Sequence, residues 1–140
     1  MTLLPALLSS VLVLLALAHA WWAVGGIWPA TSETALAHGV IGDGRTRMLP
    51  PWQCWAVTVA LLAVAAWPWL ILALPSSRIV LIGGVIIGAV FFLRGLAAFS
   101  SRWRRRFTAQ PFATRDIYLY SPLCLLLAGG FLLLLTREMV

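Results

Sequence analysis

Apolar residues fall into four blocks along the chain, Leu3 to Val24, Trp52 to Leu74, Ile79 to Phe99 and Ile117 to Thr136, and the polar residues collect between them. Each block approaches the roughly 20 residues that an α-helix needs to cross a hydrocarbon core. The alternative spanning architecture, a closed β-barrel, requires strands that alternate apolar and polar residues, and the LLLAGGFLLLLT of the last block does not alternate. The pattern therefore predicts an all-α membrane protein: a single integral domain over 1–140, with four transmembrane helices in an antiparallel bundle near 3–24, 52–74, 79–99 and 117–136.

Two interruptions break the pattern. In the third block Arg94 sits inside FFLRGLAAF, about five residues from the helix end and so roughly 8 Å deep at 1.5 Å per residue. An arginine at that depth either snorkels to the headgroups or faces the bundle. Angular spacing puts it beside the stripe of Gly84, Gly88 and Gly95, a face small enough for a neighbouring helix, which favours the bundle. A buried guanidinium needs an acid, and there are four: Glu33, Asp43, Asp116 and Glu138. Asp116 matches Arg94 in side and depth, whereas Glu138 is at the opposite end. Asp116 also has an ordinary reading, as an acid favoured by the dipole at a helix start, with Thr114 as its cap.

The second interruption is Ser121-Pro122, which reads as an N-cap followed by proline at the first helical position. A helix beginning there and ending at Thr136 is about 22 Å long, short of a core of about 30 Å. The fourth helix is accordingly expected to be kinked or broken near Pro122, with freed backbone groups near Tyr118.

Composition agrees with the membrane assignment: 62% of the 140 residues are hydrophobic and 10% charged, against about a quarter charged in soluble domains. All ten basic residues are arginine, and with the many alanines this suggests a high-GC bacterial source. Ala18-His19-Ala20 has the form of a signal-cleavage site, but no basic residue precedes Arg45, so the first block is read as a retained span. Seven arginines, Arg45, Arg47, Arg102, Arg104, Arg105, Arg106 and Arg115, fall in connections 25–51 and 100–116, while only Arg78 and Arg137 lie at the other end. The positive-inside rule then puts both long connections in the cytoplasm of a bacterial inner membrane and both termini outside. Trp21, Trp22, Trp52, Trp55 and Trp103 gather at the arginine-rich boundary, as interfacial tryptophans do.

No catalytic or metal-binding motif stands out. Cys54 and Cys124 have no metal-type spacing, and the glycines of HGVIGDGRTR lack the GK[ST] ending of a phosphate loop. Haem would need a second histidine at helix depth besides His19, and His38 is in a connection, so no cofactor and no metal are expected. The Arg102–Arg106 run suits anionic lipid headgroups, through Arg102, Arg104, Arg105 and Arg106, and carries no soluble fold that would point to nucleic acid. Polar side chains nevertheless gather toward one end, and the candidate ligand-binding residues there are His19, Arg45, Arg94, Asp116, Tyr118 and Tyr120.

HAWWAVGG at the end of the first block, GDGR followed by Pro-Pro, FFLRG in the third and FATRDIYLYSPLCLLLAG into the fourth together resemble a bacterial family known as domain of unknown function 3995. The resemblance runs through nearly the whole chain and is most specific from Asp116 to Pro122. It implies a small four-helix membrane protein and no activity. From the residues themselves, a non-enzymatic module that binds an amphipathic ligand or docks on a membrane-protein partner or a second copy comes first. An enzyme for lipid or isoprenoid-like substrates, with Asp116 or His19 moving protons and Arg94 stabilising negative charge, comes second. A small oligomeric transporter comes last, since no acid lies near the middle of a span.

Overall fold

The computed structural model describes residues 2–139, without the side chains of residues 138 and 139, so the side chain of Glu138 lies outside the described residues. Regular structure among them is entirely helical: α1 (Leu3–Ala23), α2 (Glu33–Val40), α3 (Pro51–Ala73), α4 (Arg78–Ala97), α5 (Ser101–Arg106), α6 (Phe112–Arg115), a π-helical turn (Asp116–Tyr120) and α7 (Ser121–Met139). Four segments are long and apolar enough to cross a membrane, Leu3–Ala23, Pro51–Ala73, Arg78–Ala97 and Phe112–Arg137. Their outer faces expose large apolar side chains such as Leu14, Val59, Ile82 and Leu126, as a bundle whose solvent is lipid should.

The bundle is built from two tight pairs, α1 with α3 and α4 with α7. Between lipid-solvated helices burial alone gives little drive, so close approach and interhelical hydrogen bonds hold the pairs. In the first pair Ser9 Oγ donates to the Ala65 carbonyl at 2.6 Å, one turn before the interior Pro68. Thr58 Oγ1 donates to the Cys54 carbonyl of its own helix at 2.9 Å and approaches the Ala16 carbonyl at 3.4 Å. In the second pair the glycine stripe of α4 faces α7. A Cβ on Gly95 would stand 2.7 Å from Leu125 and 3.1 Å from the Ser121 carbonyl, whereas one on Gly88 would meet Phe131 at an ordinary 3.6 Å. The expectation that one helix packs closely on that stripe holds, and the helix is α7. Helices α3 and α4, joined by the short turn at 74–77, touch more sparingly, with Trp67 Nε1 donating to the Val80 carbonyl at 3.0 Å. Leu8, Leu12, Ala65, Ile71, Val80, Leu127 and Phe131 close the core where all four spans meet.

The fourth span is irregular just before Pro122, in the form of a π turn, but it starts earlier than expected. It begins at Phe112 and continues through Ser121, whose φ −67° and ψ −47° are helical, so Ser121 is not an N-cap and Pro122 does not open a helix. Proline has no N–H for the carbonyl four residues back. The chain absorbs the defect by widening the preceding turn, in which the Ser121 N–H donates to the Asp116 carbonyl five residues earlier. Asp116 is thus inside the span and not at its first turn. Thr114 does not cap it, since its N–H and hydroxyl go to Gln110 Oε1 at 3.3 and 2.9 Å.

The two long connections, read from sequence as loops, are partly helical and meet at one end of the bundle. Ser32 caps α2 by accepting from the Ala35 N–H at 3.1 Å, and Glu33 accepts from the Met48 N–H at 3.0 Å, folding 43–48 back on α2. The Ala109 N–H donates to the Gly42 carbonyl at 3.0 Å, which joins the connections. Gly42 has φ +80°, and a side chain there would collide with the Phe112 ring, so only glycine serves this crossing.

Candidate functional site

Under the joined connections Asp116 is the best-buried charged group among the described residues, its side chain 3% exposed. Arg94 Nη2 donates to its Oδ1 at 2.6 Å and Trp103 Nε1 to its Oδ2 at 2.7 Å. The Arg94 guanidinium carbon lies 4.9 Å from the Trp103 ring centroid, so the three side chains form one closed unit. Arg94 therefore meets its acid within the bundle, which sets aside snorkelling as the explanation for its depth. The π turn has a direct part in this arrangement: each added helical residue turns the chain by about 100°, so the widened turn sets the rotation of Asp116 relative to α7.

Trp103 starts an aromatic series that ties the unit to the connections. Its ring is 4.3 Å from that of Phe107, Phe107 is 5.9 Å from Phe112, and Phe112 is 5.7 Å from Tyr120. Tyr120 then donates through its hydroxyl to the Gly39 carbonyl at 2.8 Å, pinning α2 to the π turn.

Between α2, the end of α1 and the start of the fourth span is a cavity of about 1030 Å³, with His19, His38, Arg94, Arg115 and Tyr120 in its wall. The rest of the lining is mostly apolar, including Leu15, Trp22, Leu36 and Leu123. His19 Nδ1 lies 2.7 Å from the Leu15 carbonyl, an acceptor, so Nδ1 carries a hydrogen and donates it there. Two polar atoms of wall residues, Arg94 Nη1 and His38 Nε2, are buried without a hydrogen-bond partner. Ser121 Oγ, at the foot of the π turn, is a third.

Of the six candidates from sequence, His19, Arg94 and Tyr120 stand together in this wall, and Asp116 stands behind Arg94. Tyr118 is 78% exposed and faces away, beside a smaller crevice of about 290 Å³ next to Trp103. Arg45 is elsewhere, in a surface groove with Arg47 and Arg106, where it makes a bidentate pair with Asp43 at 2.7–3.0 Å. That hydrogen bonding from Arg45 holds the Asp43 carboxyl below its ordinary 3.8. Trp103, His38 and Arg115 are the members that sequence reasoning missed. The signal for Trp103 was its place as the one aromatic residue inside RWRRR, and that for His38 was its position four residues before the glycine turn that begins at Gly42.

Both cysteines are free, and among the described residues no group of three metal-ligating side chains comes together. Four span-length helices, capped at one end by short helices over a mostly apolar cavity with a few polar groups in its wall, define a small multi-pass α-helical membrane protein. The chain belongs to the family described as protein of unknown function DUF3995, whose model matches residues 12–131, a range that contains the Arg94–Asp116–Trp103 unit and the cavity wall. No curated protein and no solved structure matches the chain.

Proposed function

We propose that the protein is a non-enzymatic binding module of the bacterial inner membrane, a single integral domain that holds a small amphipathic molecule in the cavity beneath its two cytoplasmic connections. The observation that carries this reading is the cavity itself, about 1030 Å³, just above the roughly 300–1,000 Å³ of ligand pockets, with a mostly apolar wall and a few convergent polar groups. The ion pair supports it by rigidifying the wall: with Nη2 committed to Asp116, Arg94 is held in one place at the cavity and needs no ligand to order it. The exposed arginines of α5, Arg102, Arg104, Arg105 and Arg106, rest against anionic headgroups, each contributing about 1 kcal/mol near the surface.

The test is to purify the parent and Ala35→Trp in the same neutral detergent and identify the small molecules that accompany each by mass spectrometry. Ala35 is an exposed residue of α2 that lines the cavity, so the indole fills the space while the core is untouched. A molecule abundant in the parent and depleted several-fold in the variant is expected. Identical profiles would remove the cavity from the account.

A further inference from the structure

Which molecule the cavity accepts follows from the charges in its wall. The lining contains two arginines and two histidines and no aspartate or glutamate. Asp116 balances Arg94 from behind. Arg115 has no such partner, since the ion pairs among the described residues are Arg45–Asp43 and Arg94–Asp116. Its Nη1 lies over α2, 3.2 Å from where a Cβ on Gly39 would stand, so a glycine at 39 leaves the guanidinium room to lie across the helix at the cavity. Arg115 is exposed, so its guanidinium borders both the cavity and the outside, and the wall carries one positive charge that no acid among the described residues balances. Beside it, Arg94 Nη1 is a donor with no acceptor, and His38 Nε2 is a second buried nitrogen without a partner. Arginine can only donate, so the group that satisfies Nη1 must be an acceptor; both nitrogens are closed off by the wall in this conformation, and a ligand reaches them only after a small rotation of the side chains.

Leu119 and Trp28 both line the cavity and both are more than half exposed, so the wall includes apolar side chains that also face the outside. A molecule seated against them keeps its chain in contact with leucine and tryptophan while its head reaches the arginines.

We propose that the cavity selects an amphipathic anion: a carboxylate or phosphate head received by Arg94, Arg115 and His38, with an apolar chain along Leu15, Leu119 and Leu123. This rests on the ligand-binding reading above and adds the charge and class of the ligand. Acidic oxygens suit the site because they accept from several guanidinium N–H groups at once, and such charge-assisted bonds are about twice as strong as neutral ones.

The experiment places the full chain in nanodiscs of zwitterionic lipid and measures calorimetrically the binding of dodecanoate, dodecyl phosphate and dodecanol. At least one anion is expected to bind at least about tenfold more tightly than the alcohol. The tighter of the two anions names the headgroup. Arg115→Gln/His38→Gln, which leaves the Arg94–Asp116–Trp103 unit in place, is expected to close most of the gap, and Ala35→Trp to abolish binding. Equal affinity for anions and alcohol, or a gap that survives Arg115→Gln/His38→Gln, would overturn the anion while leaving the cavity as an amphiphile site. Anion binding that persists unchanged in Ala35→Trp assigns it to the surface arginines and overturns the proposal. If none of the three binds the parent, the cavity is not a ligand site and the reading beneath it fails too.

Discussion

Asp116 spends both carboxylate oxygens on partners from different elements, Arg94 of α4 and Trp103 of α5, and so decides what each substitution here does. Asp116→Asn keeps the shape but leaves Arg94 charged and unpaired. Removing one member of a buried pair costs about 3–5 kcal/mol, and with Arg94 30% exposed the loss belongs at the lower end of that range. Trp103→Phe keeps a ring beneath the guanidinium and removes one hydrogen bond to a charged group, for a loss of about 1.5 kcal/mol. Thermal unfolding in one detergent should therefore rank parent, Trp103→Phe and Asp116→Asn in falling order. The exchanged protein, Arg94→Asp/Asp116→Arg, should not recover, because the Trp103 N–H would then face a group that cannot accept. Full recovery would mean that the indole bond contributes nothing. The Arg94–Asp116 pair was legible because one acid alone shared the arginine's side and depth. Trp103 was not: a tryptophan next to a span reads first as an interfacial anchor, and nothing in RWRRR shows that α5 folds back under α4.

At the scale of elements, the four spans follow from hydropathy to within a few residues, except at the start of the fourth. Serine before proline carries a strong local preference for a helix start, and tertiary contacts override it: Tyr120 held by Gly39 and Asp116 held by α4 and α5 keep the chain helical through 116–121, with a π turn taking up the proline. Such contacts come from segments far apart in the chain, which is why local signals could not reveal them. The α4–α7 pairing, by contrast, is encoded in small residues, and its tightness varies along the stripe. Gly95→Ala forces a methyl against Leu125 and the Ser121 carbonyl and should lower stability by about 1–3 kcal/mol through overpacking. Gly88→Ala meets only ordinary contacts, and since alanine is favoured over glycine in a helix by up to about 1 kcal/mol, it should be neutral or slightly stabilising. Chemical or thermal unfolding of the two variants side by side decides this, and equal losses would mean that the stripe packs uniformly. Because Gly95 sits one residue from Arg94 and against Ser121, its variant should also weaken any binding in the proposed cavity site, whereas Gly88→Ala should not.

The whole molecule is asymmetric in charge, with seven arginines at the end that carries the connections and two at the other. Under the positive-inside rule this predicts cytoplasmic connections, and single cysteines test it in a background of Cys54→Ala and Cys124→Ala. Thr46→Cys and Ser101→Cys, in the two connections, should react with a membrane-impermeant maleimide only after intact cells are permeabilised, and Ser76→Cys, in the short turn at the other end, should react without it. The reverse pattern would invert the molecule and take the cavity to the outer side. The same arithmetic weighs α5. Replacing Arg102, Arg104, Arg105 and Arg106 by glutamine leaves Arg45, Arg47 and Arg115 against Arg78 and Arg137, so a bias of seven to two becomes three to two. The variant should insert in both orientations, each cysteine then labelling in part from either side. If it stays uniformly oriented, the positive charge of α5 is dispensable for topology, and flotation with anionic and zwitterionic vesicles then tests separately whether these arginines bind anionic headgroups.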